Sequence, residues 1–326
     1  MKRFCKVLFM LFSVSFALLF LVACGDDNQE EENGDEKKSA EAKSAEADGE
    51  GSDGDKSKWP EKISIGVIPS EDQATVSDRV ENFASEMGEE LEIETEVFLG
   101  TDYNAVIEAM RTEEIDIAFF GPFAYVLANE RSDAEVFAIG AESEDDITYK
   151  SAIIVPADSE AESLEDLKGK DFLFVDPAST SGHIFPRAKV IEELGVTNDE
   201  VESVFGSLSF SGSHDSSILA IANGDADGAA IATDVLNAML DQGLVKEEDY
   251  KIVSESDPIP RGPDAYRSSL PEDLKEKIKE FYYNYEDEQF FEERGIKGFY
   301  PVEDSAFDVV RDTAEKLEMS PEELLK

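Results

Sequence analysis

Asp171-Phe-Leu-Phe-Val-Asp-Pro-Ala-Ser-Thr-Ser-Gly182 is the stretch that decides the fold. Its first five residues read as a buried strand, and the run 184–194 that follows it has helical spacing. Between them stand three hydroxyl residues, Ser179, Thr180 and Ser181, and then Gly182. A strand that turns through such residues into a helix start aims free backbone N–H groups and the positive end of the helix dipole at one point. The hydroxyls add donors, so the turn suits a small anion. It holds no Lys or Arg and does not match the P-loop pattern. The alternative is a plain helix cap.

The same device recurs on both sides of this turn. Ile63-Ser-Ile-Gly-Val-Ile68 alternates as a strand, 75–91 carries an apolar stripe at helical spacing, and 93–99 returns to strand. Thr101 or Asp102 caps the next helix. Ile115-Asp-Ile-Ala-Phe-Phe120 is a buried strand, and Gly121-Pro122 starts a helix directly after it. This alternation predicts an open, mainly parallel sheet with ligands at the carboxyl ends of its strands. A second lobe begins near Lys150, with strands at 151–156, 171–175, 203–206 and 228–233 and a helix at 216–223 capped by Phe210-Ser-Gly-Ser-His-Asp215. The segment 250–254 is expected to return the chain to the first lobe, and the remainder is expected to be helical.

The chain has 326 residues, 41% hydrophobic, and a formal net charge of −47. That is enough for two lobes with real cores, and the charge repels a nucleic-acid backbone. Both cysteines, Cys5 and Cys24, are N-terminal, so the folded part has neither a disulfide framework nor a cysteine metal site. Residues 1–23 form a basic start followed by a short apolar run, the pattern of a signal peptide. Its end, Leu21-Val-Ala-Cys24, resembles the lipobox of bacterial lipoproteins. That resemblance implies cleavage before Cys24, lipid on its side chain, and residence on the outer face of the cell membrane. Residues 24–58 are acidic and lack aromatic and β-branched residues, so they are expected to be a flexible tether. The acidity continues through the folded body.

Four segments occur in order: Phe120-Gly-Pro-Phe-Ala-Tyr125, Asp176-Pro-Ala-Ser-Thr-Ser-Gly182, Gly212-Ser-His-Asp215 and Ser256-Asp-Pro-Ile-Pro260. Together they resemble the phosphate/phosphite/phosphonate-binding proteins of ABC importers, over about residues 62–305. The resemblance implies an α/β, two-lobed type II periplasmic-binding-protein fold. Lobe 1 would comprise 59–149 and 255–326, and lobe 2 would comprise 150–254, with the ligand cleft between them. It implies a monomer that closes on a small phosphorus oxyanion and delivers it to a permease with a cytoplasmic ATPase, without cofactor or metal.

Carried over by motif, the resemblance implies that Ser179, Thr180 and Ser181 hold the phosphonate oxygens, with His214 as a further donor. It places Tyr103 and Tyr125 on the opposite wall, and Asp234 where some members set an acid against a ligand amine. Gly182 and His183, beside the turn, are secondary candidates. After Ile259-Pro260 the chain has Arg261-Gly262, where an aspartate belongs in aminoalkylphosphonate binders; Arg261 is therefore a candidate for facing the anion. Another anion, such as a sulfonate, is the alternative ligand, and a sensory lipoprotein the alternative role. An enzyme is not expected. Adjacent Ser213-His214-Asp215 side chains diverge and cannot form a triad, and G-x-S-x-G and H-E-x-x-H are missing.

Overall fold

The computed structural model describes residues 56–318. The signal segment, Cys24 and the tether up to residue 55 lie outside the described residues. The chain runs β1 (Lys62–Val67), α1 (Gln73–Leu91), β2 (Glu94–Leu99), α2 (Tyr103–Arg111), β3 (Ile117–Phe119), α3 (Pro122–Ser132), β4 (Ala134–Ala141), β5 (Thr148–Tyr149) and β6 (Ser151–Pro156). Next come β7 (Asp171–Phe174), α4 (Phe185–Leu194), α5 (Val201–Val204), β8 (Ser207–Phe210), α6 (His214–Asn223), β9 (Gly228–Ala232), α7 (Thr233–Asp241) and β10 (Tyr250–Glu255). The last elements are β11 (Ile259–Pro260), β12 (Pro263–Arg267), α8 (Glu272–Asn284), α9 (Glu288–Arg294), β13 (Gly298–Pro301) and α10 (Asp308–Lys316).

Two sheets result, in the orders β13-β4-β12-β3-β1-β2 and β10-β6-β9-β7-β8. Both are mixed. In the first, β1 to β4 run one way and β12 and β13 run against them. In the second, β6 opposes the other four. The chain passes between the sheets through β5 and β11, which pair with each other, Tyr149 opposite Ile259.

Three departures from the sequence reading have physical causes. The segment 250–254 does not return to the first sheet: it pairs with β6 as an edge strand, and the return falls to β11. Residues 201–204 are helical and the strand begins at Ser207, because the β-branched residues of this stretch fill the core between α4 and the second sheet. The C-terminal third contributes β12 and β13 as well as helices.

Each sheet is covered on both faces. On one side of the first sheet, Val76, Val80, Phe83 and Met87 of α1 pack on Ile63, Ile65 and Val67, joined by α8 and α9. Phe83 is the hub, with the Phe281, Tyr282, Tyr285 and Phe290 rings all within 5.2 Å of its centroid. Such edge-on and offset contacts add to plain burial. Helices α2, α3 and α10 cover the other face. The second sheet lies between a layer with Val190 and Val201 and one with Ile218 and Leu236.

This topology sends the carboxyl ends of β1, β2, β3, β7, β8 and β9 toward one region, where the side chains described below meet. At its centre β12 inserts beside β3, with the Phe120 amide donating to the Pro263 carbonyl at 3.0 Å. The approach is so close that a Cβ at Gly262 would collide with the Phe120 carbonyl oxygen. Gly262→Ala is therefore expected to lower unfolding free energy by about 1–3 kcal/mol, the cost of overpacking against backbone. Urea unfolding followed by circular dichroism measures this, and an unchanged midpoint would contradict the packing.

Candidate ligand-binding site

A cavity of about 150 Å³ lies where the two sheets' carboxyl ends meet. Its second-sheet wall is the turn after β7. Ser179 caps this turn, its Oγ accepting from the Gly182 amide at 3.1 Å. Residues Thr180–Ile184 then make one wide π-helical turn before α4. The first amides of a helix have no intrahelical acceptor, so those of Thr180 and Ser181 are left to face outward. Gly182 is required by crowding: a Cβ there would collide with the Val175 side chain. Ser179, Thr180 and Ser181 all line the cavity while being nearly inaccessible to solvent.

Two of the three hydroxyls are held in position by accepted bonds. Thr180 Oγ1 accepts from the Phe123 amide at 2.8 Å, as Ser179 Oγ does from Gly182. Each hydroxyl proton therefore remains available to donate. Two tyrosines, Tyr103 and Tyr149, line the cavity together with this turn. Burial pushes both phenols up, so both stay protonated.

His214 begins α6 and lines the same cavity. The Ala232 amide donates to its Nδ1 at 3.0 Å, so Nδ1 is an acceptor and the ring proton sits on Nε2. Burial drives its pKa down to about 3. The ring is thus a neutral donor over the whole physiological range.

Three bonds cross between the sheets' layers beside the cavity. They are Phe123 N to Thr180 Oγ1, Tyr103 N to Asp176 Oδ2 at 3.4 Å, and His214 N to the Ser70 carbonyl at 3.0 Å. Near the crossover strands, Ser151 and Ser256 exchange two bonds of 2.9 and 3.0 Å, and Ser151 Oγ donates to the Ser181 carbonyl at 2.6 Å. The turn is thereby tied to the start of β6, directly after the crossover strand β5.

Of the residues singled out from sequence, the structure brings Ser179, Thr180, Ser181, His214, Tyr103, Asp234 and Arg261 to one cavity. Asp234 and Arg261 face each other at 3.5 Å. Three candidates lie elsewhere: Gly182, which packs against Val175 behind the turn, and Tyr125 and His183. Tyr125 points away from the cavity into the layer under α10, its hydroxyl donating to Asp304 Oδ1 at 2.6 Å and its ring against Phe307. Every residue from Pro122 to Ala128 is buried, so this part of α3 is core on all sides. His183 is turned to the back of the wide turn, where its Nδ1–H donates to the Pro177 carbonyl at 2.9 Å and its ring packs between Phe174 and Phe210.

The sequence reading missed Tyr149, Glu71, Arg79 and Arg294, which also line the cavity. Arg79 carried a readable signal. It falls on the same stripe as Val76, Val80 and Phe83, where a charge has no reason to sit unless it is used. Tyr149 sits on a crossover strand of two residues, too short for any periodicity. Among the described residues there is no cluster of His, Cys, Asp and Glu that would hold a metal ion, and no helix long and apolar enough to cross a membrane.

Comparison with known proteins decides what this cavity belongs to. Residues 65–307 match the family model described as the periplasmic phosphonate substrate-binding protein of ABC transporters. The chain belongs to this family. It is a substrate-binding component of an ABC importer and not an enzyme. Among its relatives is the phosphate-import protein PhnD of Mycolicibacterium smegmatis, 34% identical over 78% of this chain and 85% of that protein. The phosphonates-binding periplasmic protein of Escherichia coli is 30% identical over 68% of this chain and 66% of its own length. A binding-protein component of an ABC phosphonate transporter from Pseudomonas aeruginosa superposes with a TM-score of 0.73 at 26% identity, covering 80% of this chain and 87% of that one. The type II periplasmic-binding-protein fold expected from the sequence is the fold found.

The histidines give a pH prediction. Their folded pKa values, about 3 for His214 and about 4 for His183, lie below the ordinary 6.5. The unfolded chain binds the extra protons first as pH falls. Each histidine's contribution to stability is therefore complete above about pH 6.5 and is lost toward pH 4 and below. NMR titration of the two imidazoles should show neither protonating between pH 8 and 5. A midpoint near 6.5 for His214 would contradict its neutral-donor geometry.

Proposed function

We propose that the cavity captures a phosphorus oxyanion, a phosphonate or its inorganic relatives phosphite and phosphate, by hinged closure of two lobes. The observation that carries this is the convergence of the Thr180 and Ser181 amides, the three hydroxyls and the His214 Nε2–H on one cavity lined from both sheets. A tetrahedral oxyanion presents acceptors to all of these donors without needing a cation. Tyr103 and Tyr149 add phenolic donors, and Arg261, held by Asp234, adds charge at the rim. The relatives named for phosphate and phosphonates fit the same chemistry.

The lobes run 59–149 with 256–326, and 150–255, since Glu255 of β10 still pairs with β6. Their pivots are β5 and β11, where two short paired strands carry the whole connection. The three bonds across the cavity belong to the closed form, and ligand shifts the population toward it. Lipid on Cys24, after removal of residues 1–23, holds the protein at the outer face of the cell membrane through the tether, next to its permease. One chain supplies the complete cavity, so a monomer suffices.

Thermal unfolding of the full-length protein with methylphosphonate, phosphite, phosphate, sulfate and an alkylsulfonate tests the class. A ligand at 100 times its Kd stabilises by about 2.7 kcal/mol, a shift of a few degrees. Phosphorus oxyanions should shift the midpoint and sulfur oxyanions should not. Ser179→Ala or Ser181→Ala should each weaken binding by about 1–3 kcal/mol, because a charged acceptor loses a donor. A shift with sulfur oxyanions alone would overturn the assignment. In a separate test, the intact mass of the membrane-fractionated protein should show a lipidated Cys24 as its first residue, and a soluble, unmodified chain would refute the anchor.

A further inference from the structure

The cavity does not end at the oxyanion turn. It continues past Tyr103 and Gly121 into the first sheet's layer under α1, where Val76, Arg79, Phe119, Arg294 and Ile296 line it. Its volume of about 150 Å³ holds on the order of ten waters. A bare tetrahedral headgroup, four substituents on one phosphorus, fills only part of that space.

Two guanidinium groups stand in this arm. Arg79 is 8% exposed; its Nη1 donates to the Glu293 carbonyl at 3.0 Å, and Nη2 lies 4.0 Å from Glu71 Oε1. The Arg294 guanidinium rests on the Phe119 ring, 4.8 Å from its centroid. Each keeps one buried N–H without an acceptor, Arg79 Nε and Arg294 Nη1. Burial lowers the Arg79 pKa, Glu71 opposes this, and the neighbouring Arg294 charge adds to it. Two repelling cations with unused donors, one of them almost wholly enclosed, form an arrangement that an anionic group would complete.

Three acids stand close to these cations. Asp234 already faces Arg261 at 3.5 Å and Glu71 faces Arg79. Burial pushes Glu71 up, against the pull of both arginines. Asp264, wholly buried on β12 on the same face as Phe119, has no partner for either oxygen, and burial raises it to about 7 against the pull of Arg294. A carboxyl that is largely protonated below that pH leaves the Arg294 charge uncompensated. The Tyr282 hydroxyl, also without a partner, completes this polar pocket behind the arginines.

We infer that the substrate is a phosphonate carrying a second acid group: the phosphonate sits on the Ser179–Ser181 turn, and a carboxylate on its organic substituent reaches Arg79 and Arg294. This rests on the reading of that turn as the phosphorus-oxyanion site, and deepens it by naming the substituent. The cation pair, and not the acids, then selects among phosphonates.

Calorimetric titration of the full-length protein at fixed salt and pH 6, below the Asp264 value, would compare phosphite, methylphosphonate, propylphosphonate, 2-aminoethylphosphonate, phosphonoacetate and 3-phosphonopropionate. At least one phosphonocarboxylate is expected to bind about tenfold or more tighter than propylphosphonate. Arg79→Gln and Arg294→Gln should bring that affinity ratio back toward one, and Arg294→Lys should restore part of it. The wild-type ranking decides even if a variant fails to fold. Tightest binding of aminoethylphosphonate would overturn the inference in favour of the acids, and equal affinities would show a water-filled arm. Binding of phosphite or methylphosphonate without a carboxylate preference would leave the oxyanion site standing and remove this inference alone. No binding of any phosphorus oxyanion would remove both.

Discussion

The structure of the cavity depends on how the chain leaves β7. Ser179 accepts from the Gly182 amide, and the wide turn Thr180–Ile184 opens the backbone before α4 begins. A normal α-helical start would tighten the ring and present fewer outward amides. Gly182 lets this turn press against Val175, and the Ser151 hydroxyl fixes its carbonyl side. The same turn also gives Thr180 Oγ1 to the Phe123 amide of the facing layer. The cavity wall and the bond to the facing layer thus share one segment, so altering one alters the other.

Electrostatics in this protein work on two length scales. The whole chain carries −47 formal charges, which opposes an anionic ligand at a distance. Screening confines that field to roughly 8–10 Å at physiological salt. Inside the cavity the near terms decide: oriented amides, a neutral imidazole donor, three hydroxyls, two phenols and the Arg79, Arg261 and Arg294 guanidiniums. Ordered donors in a site removed from water lose little to reorganisation, so they outweigh a diffuse surface charge.

Much of this was readable from the chain. Strands with their own local pattern, such as β1, β2, β3 and β7, announce themselves by alternation or by short apolar runs ended by turn residues. The Ser/Thr turn and the cap at Ser213 are local chemistry and appear in sequence as such. What stayed hidden depends on distant partners. β12 reads Pro-Asp-Ala-Tyr-Arg and has no apolar pattern, yet it fills the gap between β3 and β4. Tyr125 stands in a motif next to the cavity, which suggests its wall, but helical rotation turns it to Phe307 and Asp304. Arg294 reaches the cavity from the end of α9, a placement that only the tertiary fold determines. Side chains that serve the site by folding back from far along the chain leave little local trace, Arg79 on its apolar stripe being the exception.

Donors from both sheets surround the cavity, and the Phe123–Thr180, Tyr103–Asp176 and Ser70–His214 bonds join its two sides. The most direct test of the central claim is a crystal structure of the protein grown with methylphosphonate. The account predicts phosphonate oxygens on the Thr180 and Ser181 amides and on His214 Nε2, with the three bonds across the cavity intact. A phosphonate bound away from the turn between β7 and α4, or contacting one lobe alone, would contradict it.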